Sequence, residues 1–189
     1  MTQKKDRADE GARERAKPHG SAYAALVGAG IGALAGLTGS TLAYFEAKDS
    51  HHAEAAARRA DVRRAAYVEL AASTNKYVQQ AAQLLSVSLD PGKTAQERRR
   101  QFEDRFAPAN TDLARSVTTV RLVTTPEGRH DLEAIDARST EVGKLATDWI
   151  DRGPAGVDVN KRGEEFAEAV RQQLAALQTF MDRAADEAL

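Results

Sequence analysis

Between Lys17 and Glu46 the chain carries no Asp, Glu, Lys or Arg, although charged residues make up 29% of the whole. A gap of that length in so charged a chain restricts its folding more than any other feature. The apolar part, Ser21 to Phe45, extends ~37 Å as a helix at ~1.5 Å per residue, enough to cross ~30 Å of hydrocarbon. Tyr23 stands near one end, and Tyr44 and Phe45 at the other. Tyr suits the headgroup boundary, where its ring is buried and its hydroxyl stays wet. Leu26, Val27, Ile31, Leu34, Leu37, Leu42 and Phe45 each favour insertion by roughly 0.3–0.6 kcal/mol, and Gly, Ser and Thr oppose part of that. The expectation is a transmembrane helix over 21–45, inserted by a narrow margin.

Small residues in this span form a row. Gly28, Gly32 and Gly36 are spaced by four, with Ala24 and Ser40 extending the line. On a helix such a row is one smooth stripe, which lets two backbones approach closely in lipid, where packing drives association. The functional reading is a glycine-zipper seam between copies of the chain. The plainer reading is that Ala- and Gly-rich spans hold many small residues at any spacing.

Two rivals compete for the same segment. The basic tail (Lys4, Lys5, Arg7, Arg13, Arg15, Lys17) and a passable cleavage site at Thr41-Leu42-Ala43 fit a signal peptide. Against it, the apolar run exceeds a usual signal core, and helix-favouring sequence continues through Glu46. The string from Val27 to Ala33, with Gly28, Gly30 and Gly32, also looks like a dinucleotide-binding fingerprint. That motif needs a flanking strand pair and a parallel sheet. Leu42 to Phe45 is too short for the second strand, and the chain from Glu46 onward reads as helix.

Hydrophobic residues are 42% of the chain but aromatics only 5%. An Ala-rich, aromatic-poor composition suits helices and suits sheets poorly. Lys and Arg (27) balance Asp and Glu (28), so the basic excess of a nucleic-acid binder is missing and no nucleic-acid partner is expected. The absence of cysteine removes disulfides, Cys-based zinc sites, iron–sulfur clusters and thiol catalysis.

From Glu46 to Leu89 there is no Gly or Pro, and Asp90-Pro91-Gly92 is a strong stop. The first half is Ala-rich and charged. The second gains an apolar stripe: Tyr67, Leu70, Thr74, Tyr77, Val78, Ala81, Leu84 and Leu85. A solvated stalk that becomes a bundle helix is expected. Thr94 and Glu97 form a capping box for the next helix, on which Phe102 and Phe106 share a face. Pro108 kinks or splits it, and Leu113, Val117 and Val120 resume the stripe to Val123. Thr125 and Pro126 open a third helix as cap and first-turn proline, with Leu132, Ile135, Val142, Leu145 and Trp149 facing the core. The last helix begins near Asn160 and buries Phe166, Val170, Leu174, Leu177 and Met181. Short turns between four amphipathic helices favour an antiparallel bundle.

Other candidate sites weaken on inspection. Glu127 and His130 make one Glu-x-x-His pair, whereas a di-iron bundle needs two plus further glutamates. Asp158 to Gly163 resembles a calcium loop but has Arg162 where an oxygen ligand belongs and Ala169 at the twelfth position; Asp158 or Asn160 as a helix cap is the simpler reading. His51 and His52 are adjacent and diverge by ~100° on a helix. Arg58, Arg59, Arg63 and Arg64 are basic, but on an upright rod Arg58 stands ~20 Å beyond Phe45 at ~1.5 Å per residue, farther than the ~8 Å screening length. Arg98, Arg99 and Arg100, flanked by Glu97, Glu103 and Asp104, read as a salt-bridged surface.

The stretch Arg58-Arg59 through Arg63-Arg64-Ala-Ala-Tyr67-Val-Glu-Leu70, following a Gly/Ala-rich span, resembles actinobacterial single-pass membrane-anchored helical proteins of unassigned function. Leu122-Val-Thr-Thr-Pro-Glu127 is similar too, and the resemblance covers residues 21 to 135. It implies the layout and leans to a cytoplasmic bundle.

The expected organisation is a charged, disordered tail over 1–20, a transmembrane helix over 21–45, a helical stalk over 46–66 and a bundle over 67–189. The expected fold class is all-α: one transmembrane helix continuing into a long rod and an antiparallel four-helix bundle. Neither a catalytic group nor a cofactor nor a metal is expected, and no enzymatic activity. The expected partners are the lipid bilayer, the chain itself as a homo-oligomer, and an unknown protein, at the cell membrane. Positive charges flanking the span give a slight lean to a cytoplasmic N-terminus. The function expected is an interaction or scaffold module. The alternatives are the input subunit of a sensory complex or a small oligomeric pore.

Overall fold

The computed structural model describes residues 54–187, and within them the chain is all-helical. The tail, the 21–45 span, the Gly28, Gly32 and Gly36 stripe and the His51-His52 pair lie outside the described residues. Among the described residues no helix is long and apolar enough to cross a membrane.

Helix α1 (Glu54–Leu89) runs unbroken for 36 residues, ~54 Å at ~1.5 Å per residue. It has no internal Gly or Pro, and alanine supplies much of its length. It stops at Asp90, whose carboxylate accepts the Gly92 N–H at 2.8 Å, a side-chain turn that competes with further helix.

The second rod begins with α2 (Ala95–Gln101), capped by Thr94. The Thr94 hydroxyl accepts the Glu97 N–H at 3.2 Å, and the Glu97 carboxylate accepts the Thr94 N–H at 2.9 Å. A π-helical turn (Phe102–Phe106) then leads into α3 (Ala107–Val123) without a break in helical backbone. Of the two outcomes expected at Pro108, a kink or a split, the split does not occur. The Ala107 N–H reaches back five residues to the Phe102 carbonyl. Placed just ahead of Pro108, this wider turn relaxes the crowding between a proline ring and the preceding turn.

Helix α4 (Pro126–Thr147) starts at the Thr125 cap, whose hydroxyl accepts the Gly128 N–H at 3.2 Å. Helix α5 (Val159–Glu187) starts where the Asp158 carboxylate accepts the Lys161 N–H at 3.1 Å.

Cross-links between rods fix their directions. Arg63 bonds the Val123 carbonyl, Lys76 pairs with Asp112 and Gln101 with Gln83, so α1 and the second rod are antiparallel. Arg183 pairs with Asp131, Gln173 bonds Ser139 and Arg162 lies over Trp149, so α4 and α5 are antiparallel. The result is an up-down-up-down helical bundle. Every residue of the stripe from Tyr67 to Leu85 is buried, as are Leu113, Val117, Val120, Leu132, Ile135, Val142, Phe166, Val170, Leu174, Leu177 and Met181. Each large side chain so buried contributes roughly 1.5–3 kcal/mol. Tyr67 meets Phe180 edge-on at 5.2 Å, and Tyr77 meets Phe106 at 5.4 Å.

Trp149 is only half-buried, at the rim rather than in the core, with its ring under the Arg162 guanidinium at 5.2 Å. It lies just past the end of α4, where the chain is already turning away from the bundle axis.

Candidate functional site

The bundle's interior holds a polar layer that spans three helices. The Tyr77 hydroxyl (α1) donates to the Ser139 carbonyl (α4) at 2.6 Å, and the Ser139 hydroxyl donates to the Ile135 carbonyl at 2.8 Å. The Gln173 amide (α5) donates to the Ser139 hydroxyl at 2.8 Å. Gln173 is fully buried, and its Oε1 has no hydrogen-bond partner. Gly143 makes room for the layer, since a Cβ there would stand 2.7 Å from the Tyr77 hydroxyl. Burial pushes the Tyr77 phenol well above its ordinary pKa, so it stays protonated and keeps donating. Sequence reasoning missed Gln173, yet a signal was there: it sits three residues after Val170 and four before Leu177, inside an apolar stripe.

A second polar device closes one end of the bundle. Arg98 is buried, contrary to the surface expected for the Arg98 to Arg100 run. Its Nε donates to the Ile150 carbonyl at 2.7 Å and its Nη1 to the Lys93 carbonyl at 2.6 Å. The 148–158 connection wraps around it, with Gly153 at φ 66° and its position 3.2 Å from the guanidinium for any added Cβ. Carbonyl dipoles, rather than a carboxylate, solvate this cation. Arg99 beside it does meet expectation, with Nε and Nη2 both on Asp151 at 3.0 and 2.9 Å.

Neither device presents a reacting group to solvent. His130, the lone histidine among the described residues, is largely exposed and lies 3.8 Å from Glu133 rather than beside Glu127 in a ligand set. Among the described residues no group of three His, Asp or Glu is placed to hold a metal ion.

The outer face of α1 is different. Asp61, Ala65, Glu69, Ala72 and Lys76 are exposed and Val68 is half-buried, and together with Arg64 they line an open, mostly apolar groove. At one end Lys76 and Asp112 close it with a 2.8 Å ion pair, which holds the Asp112 carboxyl below its usual range. At the other end α1 outruns the bundle: Arg58 to Arg63 are exposed, and Ala66 is the first buried residue described. No family model, curated protein or solved structure matches the chain.

Proposed function

We propose that this chain is a membrane-tethered helical interaction module. In this reading residues 21–45 anchor it in the bilayer, Gly28, Gly32 and Gly36 bring copies together there, and the bundle is held off the membrane to meet a protein partner. The observation that carries the reading is the continuity of α1. One helix of 36 residues serves both as a bundle element and as a projecting rod, and it leads toward the uncharged segment. A rod of that kind transmits position and orientation, which a slack linker does not. The test is fractionation of cells expressing the full chain. The chain should pellet with membranes, resist salt extraction and be released only by detergent. An intact polypeptide in the detergent-free supernatant would sink the tether. Crosslinking of wild type against Gly32→Leu tests the glycine stripe, and equal self-association in both would count against it.

One observation favours a second reading, the input half of a membrane sensory complex. The polar layer joins α1, α4 and α5 and leaves the Gln173 carbonyl oxygen unpartnered. A half-satisfied layer makes one helix arrangement less dominant over others than an apolar core does. Under this reading Gln173→Met should uncouple the bundle from its downstream response while leaving membrane association intact.

A further inference from the structure

We infer that the outer face of α1 is a second self-association seam, on which another copy of this chain docks in parallel over the short stretch from Asp61 to Ala72, in coiled-coil register, with Arg58 at the a position before it and Asn75 at the d position after it marking its ends. The inference deepens the self-association in the proposed function and places part of it outside the lipid.

Spacing gives the register. Asp61, Ala65, Val68 and Ala72 succeed one another by four, three and four residues, the alternation of a heptad seam with Ala65 and Ala72 at a and Asp61 and Val68 at d. Among the described residues, Asp61, Ala65 and Ala72 stay exposed and Val68 is only half-buried, and the middle of this line is apolar. Small alanines allow two helices to approach closely there. Val62, one of the two large hydrophobic residues left exposed among those described, is 56% exposed. In this register it is an e residue, flanking the seam, where a second helix would cover it.

Charge chooses the occupant and its direction. Arg64 falls at g and Glu69 at the e position five residues later. In a parallel pair a g residue faces the e residue five places on in the other helix, so Arg64 of each copy meets Glu69 of the second copy, twice by symmetry. In an antiparallel pair g faces g and e faces e, and the two charges no longer meet. The parallel arrangement is also the one that two copies anchored in the same membrane would adopt. Asp61 is the discordant position, since at d it faces its own copy. It limits the affinity of the pair and makes the association readily reversible.

The chain has no cysteine, so a single introduced thiol reports one position. In the full chain, in native membranes under mild oxidation, Ala72→Cys should give a disulfide-linked homodimer. An a position faces itself in parallel pairing, at a Cα separation a disulfide spans. Ala175→Cys, exposed on α5, should stay unlinked. Arg64→Glu or Glu69→Arg should each lower the yield at residue 72, roughly fivefold for two exposed pairs lost and turned repulsive. The double exchange should restore it, and Asp61→Leu should raise it. Circular dichroism of each variant checks that the helices are intact. No link at residue 72 in a folded variant overturns the proposal. So does equal linking at 175, a link only to another protein, or a double exchange that fails to recover. The disulfide reads the α1 seam alone, whereas fractionation reads the tether alone, so either can fail without the other.

Discussion

The two faces of α1 are made from one helix and do opposite things. The inner face carries Tyr67, Leu70, Tyr77, Leu84 and Leu85, all buried against the other rods. The outer face carries Asp61, Ala65, Ala72 and Lys76, exposed among the described residues, and half-buried Val68, with Lys76 paired to Asp112 at one end. Inner positions repeat at the helical period and are filled with large side chains, which fixes the packing. Outer positions 61, 65, 68 and 72 follow a heptad spacing, with alanine at two of them and valine at a third. A face that is apolar in pattern but small in volume adds little to the stability of the bundle that carries it. In the proposed seam, a second copy of the same narrow profile covers it.

Substitutions on the two faces should separate accordingly. Leu84→Ala, at a fully buried site, should cost ~2–5 kcal/mol in denaturant unfolding. Ala72→Lys should cost under ~0.5 kcal/mol in the same measurement yet weaken self-association by removing the α1 seam. A loss of global stability from Ala72→Lys as large as from Leu84→Ala would collapse the distinction.

Next in size is the polar layer of the inner face. Gly143→Ala should cost ~1–3 kcal/mol, because its Cβ would displace the Tyr77 hydroxyl from the Ser139 carbonyl. In a Tyr77→Phe background, where that hydroxyl is gone, the same substitution should cost less. Gln173→Met should be neutral or stabilising by up to ~1 kcal/mol. It removes a buried oxygen without a partner while Ser139 keeps its bond to Ile135. Thermal unfolding of the single variant decides this, and a loss above ~2 kcal/mol would mean that the layer stabilises the bundle as it stands.

The smallest effect belongs to surface carboxylates. The Thr94 backbone N–H, then Lys93 and the Thr94 hydroxyl, lower the Glu97 carboxyl from its ordinary 4.5 to about 2. Lys76 lowers Asp112, and Gln172 followed by Arg171 lowers Glu168. Each folded pKa lies below the unfolded one. Their contribution is therefore present above the usual carboxylate range and is lost as pH falls through it toward about 2. Glu97 and Glu168 are exposed and Asp112 is about a third exposed, so the Tm should decline gently over that window, and Glu97→Gln should flatten part of the decline.

What the sequence disclosed was local. Asp90-Pro91-Gly92, the Thr94–Glu97 box, the Thr125–Pro126 start and the apolar stripes are signals between residues a few positions apart, and each stands in the structure as read, save that the α4 stripe ends half-buried at Leu145 and Trp149. What it withheld depends on distant chain. Arg98 is buried because the chain around Ile150, 52 residues on, bends over it and offers it a carbonyl, and nothing in a run of three arginines tells one from another. Tyr77 finds its acceptor 62 residues away. The outer groove of α1 became visible only once the rods covering the inner face were in place. Periodicity shows that a face is apolar, and only the fold shows whether it is covered.

Sedimentation equilibrium of the full chain in density-matched detergent tests the central claim, that a rod-bearing bundle self-associates along α1. Wild type should sediment as a dimer in reversible, concentration-dependent exchange with monomer, and Ala72→Lys should shift that balance strongly toward monomer. A wild-type chain that stays monomeric across the concentration range, or an Ala72→Lys chain indistinguishable from it, would contradict the account.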